Sequence, residues 1–219
     1  MDSEGNSAMD FIFVDEEGTK MHATVNKTNY HHFRIALPEG EWREITRFQI
    51  SNDNWNNPQF MVADHTYMII LRHETVVLPI QPLSDNHFFK FSSFERVISG
   101  RHDVNYPVDF IGVISYMGKL SPPVRNLEER RSLPFHLRSL SNTELYCIAY
   151  EDLAAQLYQA WKDNASEPLI CVLSEWRVAR SNREFIVVDG GGLSRFFFDP
   201  NIPEVEEMKQ RILNQNMLR

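Results

Sequence analysis

The chain has 219 residues, 42% of them apolar and 24% charged, with a net charge of −8. That length predicts one or two domains, and no apolar run approaches the roughly 20 residues a membrane-spanning helix needs. The acidic balance argues against indiscriminate DNA binding, which is mostly electrostatic.

The opening MDSEGNSAMDF is acidic and polar, unlike a secretory signal or an Arg-rich transit peptide, so an intracellular protein is expected. "DFIFVDEEGTKMHATVN" reads as two strands joined by the turn DEEG. "YHHFRIALPEGEWREITRFQISN" starts as a short aromatic segment, turns at PEG, and continues as one alternating strand, "WREITRFQI". "NDNWNNP" is a polar loop, and "QFMVADHTYMIILRHETVVLPI" is a further strand or pair. Five strands and hardly any helix are expected before residue 85.

In "SDNHFFKFSSFERVISG", Phe88, Phe91, Phe94 and Ile98 fit helical spacing, Ser92 and Ser93 are candidate caps, and Gly100 ends the segment. "VDFIGVISYMG" opens a new strand, and the domain boundary is placed near residue 105. After the Pro-containing charged loop "KLSPPVRNLEERRS" come a hairpin around SNTE and the helix "EDLAAQLYQAWKD", with Leu153, Leu157, Ala160 and Trp161 on one face. "EPLICVLSEWRVA" and "REFIVVD" flank the basic turn RSNR, "LSRFFF" is a last strand, and Pro203 opens an acidic-to-basic helix. In that helix Lys209 and Arg211 are expected near the C-terminus, where they suit the dipole. Cys147 and Cys171, each inside an apolar run, read as reduced buried thiols. The halves share one plan, that of a small five-stranded barrel used twice.

"FIFVDEEGTKMHATV" resembles the hairpin of the first DNA-binding OB-fold in the large subunit of replication protein A. "VDFIGVISYMGKL", "LRSLSNTELYCIAYEDLAAQL", "CVLSEWRVARSNREFIVVD" and "DPNIPEVEEMKQRIL" resemble successive parts of the second. The matches are collinear over residues 10–213, and the style is that of divergent plant members. The resemblance implies a mainly β chain of two tandem five-stranded Greek-key OB-folds, residues 1–104 and 105–219. The first would lack its N-terminal strand, since only about ten polar residues precede the hairpin, and a partner strand is one way to complete that edge. The family's zinc-bearing third fold has no counterpart, which puts assembly into the usual three-subunit complex in doubt.

The family binds single-stranded DNA by stacking bases on aromatic side chains and holding phosphates with basic ones. Position by position, the resemblance implies stacking at Phe60 in the first fold and at Tyr150 in the second, with Arg177 as a groove cation. Asn26 and Ser181 stand where the other two aromatics belong, and His22 where a groove Arg is common. Two absent stacks are worth about 2–6 kcal/mol. Trp55 is a candidate replacement for one, and Arg180 and Arg183 for phosphate contacts. Residues 1–118 hold 9 Lys and Arg against 16 Asp and Glu, and residues 119–219 hold 13 against 14. A basic groove is therefore expected in the second half.

No nucleophile, zinc-hydrolase or phosphate-loop pattern occurs, so no catalysis is expected and no cofactor is implied. His31 and His32 lack other ligands at metal spacing and read as surface residues. The expected function is single-stranded DNA (or RNA) binding in replication, repair or recombination, in the nucleus. The alternative is a degenerate OB-fold that recruits a protein through its acidic first half, since a fold does not fix a function.

Overall fold

The computed structural model describes residues 7–52, 63, 65–122, 130–164, 167–182 and 184–217. The chain forms two compact units, Met1–Phe88 and Phe89–Arg219.

In the first unit, β1 (Ser7–Val14) and β2 (Lys20–Asn26) form an antiparallel hairpin. The Asp15 carboxylate accepts the N–H groups of Glu17 and Thr19 at 3.0 and 2.8 Å, an Asx-type turn that fixes the register. Gly18 takes φ +85°, which a glycine adopts without strain. Helix α1 (Tyr30–Ala36) follows and buries Phe33. This helix was not expected, because seven residues with one buried position leave no periodicity to read.

The expected strand "WREITRFQI" is two strands, β3 (Arg43–Thr46) and β4 (Gln49–Ser51), interrupted where Arg47 takes φ +57°. β5 (Met68–Leu71) runs parallel to β2 and antiparallel to β4, while β6 (Val76–Pro79) pairs with β3. The core is Ala23, Val25, Phe33, Ile69 and Leu71, with Met9, Phe11, Phe13, Met21 and Ile45 packed against it.

In the second unit, α2 (Phe94–Ile98) starts at Ser93, whose hydroxyl accepts the Arg96 N–H, and Gly100 ends it with φ +69°. Phe94 and Val97 belong to the second barrel's core, so the boundary falls after Phe88 rather than near residue 105. Of the expected face Phe88, Phe91, Phe94 and Ile98, only Phe94 and Ile98 lie in the helix, and Ile98 is exposed; the buried pair is Phe94 and Val97.

The remaining strands are β7 (Val108–Met117), β8 (Ser132–Arg138), β9 (Glu144–Tyr150), β10 (Ile170–Ser181), β11 (Glu184–Asp189) and β12 (Arg195–Phe198). Helix α3 (Glu151–Asp163) joins β9 to β10, and α4 (Pro203–Met217) ends the unit. β7 pairs with β8, β8 with β9, β9 in parallel with β11, β11 with β10, and β10 again with β7. That circuit is a closed five-stranded barrel with no free edge inside it.

β10 serves two partners because it bends. Its first half pairs with β7 and β12, its second half with β11. The register slips between Leu173 and Trp176, where Glu175 takes φ +58°, a bulge. Buried Asp109 pins the bulge: Oδ1 accepts from Ser174 Oγ and the Glu175 N–H, both at 2.9 Å, and Oδ2 from the Lys90 N–H at 2.7 Å. Ser194 Oγ ties the other side, donating to the Glu175 carbonyl at 2.7 Å.

Inside the barrel Phe110, Leu133, Phe135, Leu137, Leu157 and Trp176 are fully buried. The Phe135 and Trp176 rings meet edge to face at 5.7 Å, and Trp176 Nε1 donates to the Arg195 carbonyl at 2.9 Å. Trp42 and Trp161 are only partly buried. On α3 the fully buried positions are Ala154 and Leu157, a face rotated from the expected one. Cys147 and Cys171 are free and buried, and burial pushes both thiols well above their ordinary range.

Outside the barrel, Ile202, Val205 and Met208 of α4 pack on Ile170 and Val172 of β10, with Phe89, Phe91 and Phe197 alongside. α4 runs past the expected stop, so Lys209 and Arg211 sit within it. There they pair with Asp199, Glu206 and Glu207 rather than capping its C-terminus.

Candidate nucleic-acid interface

Strand alternation gives the second barrel an inner and an outer face. Leu133, Phe135 and Leu137 point inward on β8, which leaves Pro134, His136 and Arg138 outward. By the same count Tyr146, Ile148 and Tyr150 are outward on β9, Val188 on β11, and Arg177 and Ala179 on β10.

Register brings three aromatic rings into one row across β7, β8 and β9. Tyr116 lies opposite His136, and His136 opposite Tyr146. Both contacts are edge to face, with ring centroids 5.3 and 5.4 Å apart. Tyr116 is 55% exposed and Tyr146 41%, so the rings reach solvent rather than a core. His136 Nδ1 is 3.5 Å from the Glu144 carboxylate. Ser115 and then His136 beside it hold that carboxyl below its usual range. The next row along the strands is Pro134, Ile148, Val188 and Arg177. Exposed rings beside half-buried apolar side chains make a surface on which a flat heterocycle can stack.

Tyr150 ends β9 and is the N-cap of α3. Its N–H donates to Asp189 Oδ2, and the Arg130 guanidinium lies over its ring, 4.5 Å from the centroid. An aromatic face and a cation thus coincide at the end of β9, on the strand that carries Tyr146. Asp189 also accepts the Gly191 N–H at 3.1 Å, yet burial raises its carboxyl above the ordinary value.

Arg177 is outward but half-buried. Its Nη1 donates to the Asn105 carbonyl at 3.2 Å, and its stem lies against Gly190, where a Cβ would come within 3.2 Å of it. Burial lowers its guanidinium from the usual value. Arg180 is an odd number of residues further on and faces the other way. It lies opposite Phe185, 5.9 Å from that ring's centroid, and Phe185 packs on the inner core. The structure thus does not bring Arg177 and Arg180 onto one face, as strand alternation forbids. Arg183, Phe60 and Trp55 lie outside the described residues.

Ser181 is exposed at the end of β10. In the first unit Asn26 ends β2, and its Oδ1 accepts the Asn29 N–H at 3.1 Å. His22 is 3.1 Å from Asp10, and its hydrogen bond holds the Asp10 carboxyl below its ordinary value. His22, expected in place of a groove cation, is thus tied to an acid.

Tyr116, His136, Tyr146 and Arg130 were not singled out from sequence. The signal was present: in "ELYCIAY" Tyr146 and Tyr150 share a parity opposite to buried Cys147, and "LPFHLR" sets His136 between inward residues. Only the register showed that these outward rings are neighbours.

Residues 2–100, a little under half of the chain, match a family model described as a domain of unknown function, DUF223. No curated protein matches the sequence. Among solved structures, a replication protein A heterotrimer bound to ssDNA matches with a TM-score of 0.60 at 14% identity. The match covers 95% of this chain and 50% of that one, so this chain spans about half the length of its relative. An OB domain from Thermoplasma acidophilum matches at 15% identity and TM-score 0.33, covering 47% of this chain and 85% of that one. Pot1pC of Schizosaccharomyces pombe bound to ssDNA matches at 11% and 0.31, covering 48% and 87%. The first of these carries the comparison, and at its identity it speaks for the fold: the chain has the OB-fold architecture found in replication protein A.

Proposed function

We propose that this chain is a non-enzymatic, nuclear protein that binds single-stranded nucleic acid on the outer face of its second barrel. The carrying observation is the exposed row Tyr116–His136–Tyr146, next to Tyr150 under Arg130. Stacking on such rings is worth about 1–3 kcal/mol per base and tolerates any sequence. Arg130, Arg138 and Arg177 lie on or beside the same face and are suited to phosphates, which position a strand without reading it. The fold shared with a structure described as bound to ssDNA supports this reading, and a role in DNA replication, repair or recombination extends it. The second unit's charge is near balance: residues 89–219 hold 16 Lys and Arg against 17 Asp and Glu. Affinity should be modest and its salt dependence shallow, since few phosphates are neutralised.

The test is fluorescence anisotropy with labelled single strands of DNA and of RNA, about 30 nucleotides long, against a duplex, at about 50 and 200 mM salt. The reading predicts preference for a single strand. Equal affinity for the duplex, or no binding at tens of micromolar, would refute it.

A further inference from the structure

The second barrel shows what the first lacks. β7 lies between β8 and β10 and pairs with both. In the first unit, among the described residues, β1 pairs only with β2, and β3 only with β6.

The cost of that difference shows in matched side chains. Leu133, Phe135 and Leu137 on β8 stand opposite Ala149, Cys147 and Leu145 on β9. Met9, Phe11 and Phe13 on β1 stand in the same way opposite Val25, Ala23 and Met21 on β2. The β8 trio is 0% exposed. The β1 trio packs on its own core yet stays only partly buried, with the Phe11 and Phe13 rings stacked on each other at 5.7 Å. A strand edge with no pairing strand among the described residues and a half-covered aromatic row coincide, the usual setting for addition of an extended segment.

We propose that a segment of a partner protein, apolar at alternate positions and basic at the others, adds antiparallel to β1 and takes the place that β7 holds in the second barrel. The apolar alternation follows from the pleat, since every second side chain must cover Met9, Phe11, Phe13 and Ile45. The basic residues follow from charge. Residues 1–88 hold 6 Lys and Arg against 13 Asp and Glu, a net −7. Asp15, Glu16 and Glu17 stand at the tip of the β1–β2 hairpin, and Glu41 and Glu44 stand at β3. A nucleic-acid strand cannot fill this place, because it carries the same charge sign and cannot continue a peptide ladder.

The experiment uses the full chain and two labelled peptides of about ten residues, strand length, one alternating Val with Lys and one alternating Val with Glu. Anisotropy reports binding, and hydrogen exchange reports where it occurs. The expected result is binding of the Lys peptide at least about tenfold tighter than the Glu peptide. Exchange should slow across Met9–Val14 and stay unchanged across Phe135–Arg138, which are already paired on both sides. Three results would overturn the proposal. One is that neither peptide slows β1, or that both do so equally. Another is that β1 exchanges as slowly as β8 in the free, dilute protein, which would show an edge already covered by the chain itself. The third is that β1 protection and molecular mass rise together with protein concentration, which would show a second copy on the edge.

Discussion

Among the described residues the two units share one course, hairpin, helix, bent strand and return, and the second adds β7 before it and β12 and α4 after it. In the second, β7 closes the circuit, the β8 core residues are sealed, and the outward face is free to carry exposed rings. In the first, Met9, Phe11 and Phe13 of the hairpin β1–β2 pack on the core, yet Phe11 and Phe13 remain half-covered. The first strand of such a barrel is thus what converts a packed sheet into a sealed core. Its presence also decides which face is left to a ligand.

Core truncations should separate the units most sharply. Trp176→Ala empties a fully buried site, and a loss of about 3–5 kcal/mol is expected. Phe11→Ala should cost about half of that, because the ring is already part-exposed. A calorimetric scan should show the first variant lowering only the second unit's transition and the other only the first unit's. Similar losses from both would erase the distinction.

Gly118→Ala places a Cβ 2.6 Å from the Pro134 carbonyl oxygen. That contact is backbone and cannot rotate away, so about 1–3 kcal/mol should be lost from the second transition. Ser93→Ala removes the cap of α2 and should cost about 1 kcal/mol. It sharpens the boundary, because the loss must appear in the second unit's transition if α2 belongs there.

Acid should act on Asp10 and on Asp189 with opposite sign. Asp10 has its carboxyl pKa lowered by His22, so its contribution is present above the unfolded value and is lost as pH falls through the folded one. Asp189 has its carboxyl raised by burial, so its contribution is full below the unfolded value and is lost as pH rises through the folded one. Urea titrations of Asp10→Asn and Asp189→Asn across the carboxylate range should show the pH slope shrinking in the first unit for one and in the second unit for the other.

Much of this architecture was legible in the sequence, because local chemistry fixes it. The DEEG turn, the Ser93 cap, Gly100, the SNTE hairpin and the Pro203 start all act within a few residues. What escaped had a long-range cause. Helix α1 rests on one buried ring, Phe33. The β3–β4 break rests on the conformation of Arg47, and the sides taken by Phe94 and Val97 depend on a barrel that begins after them. The candidate site divides the same way. Tyr150 was named from the resemblance alone, whereas the row Tyr116–His136–Tyr146 exists only through the β7–β8–β9 register. Arg177 and Arg180 looked like a cluster in the chain and are parted by the pleat.

The most direct test of the central claim compares wild type with Tyr116→Ala/Tyr146→Ala in binding a labelled single strand and the same strand with its bases removed. The double variant should bind the intact strand about tenfold or more weakly, as expected for losing at least one stack. It should keep its salt slope and its thermal transitions, and it should lose nothing toward the abasic strand. An equal loss for both strands, or no loss for the intact one, would contradict a stacking face on the second barrel.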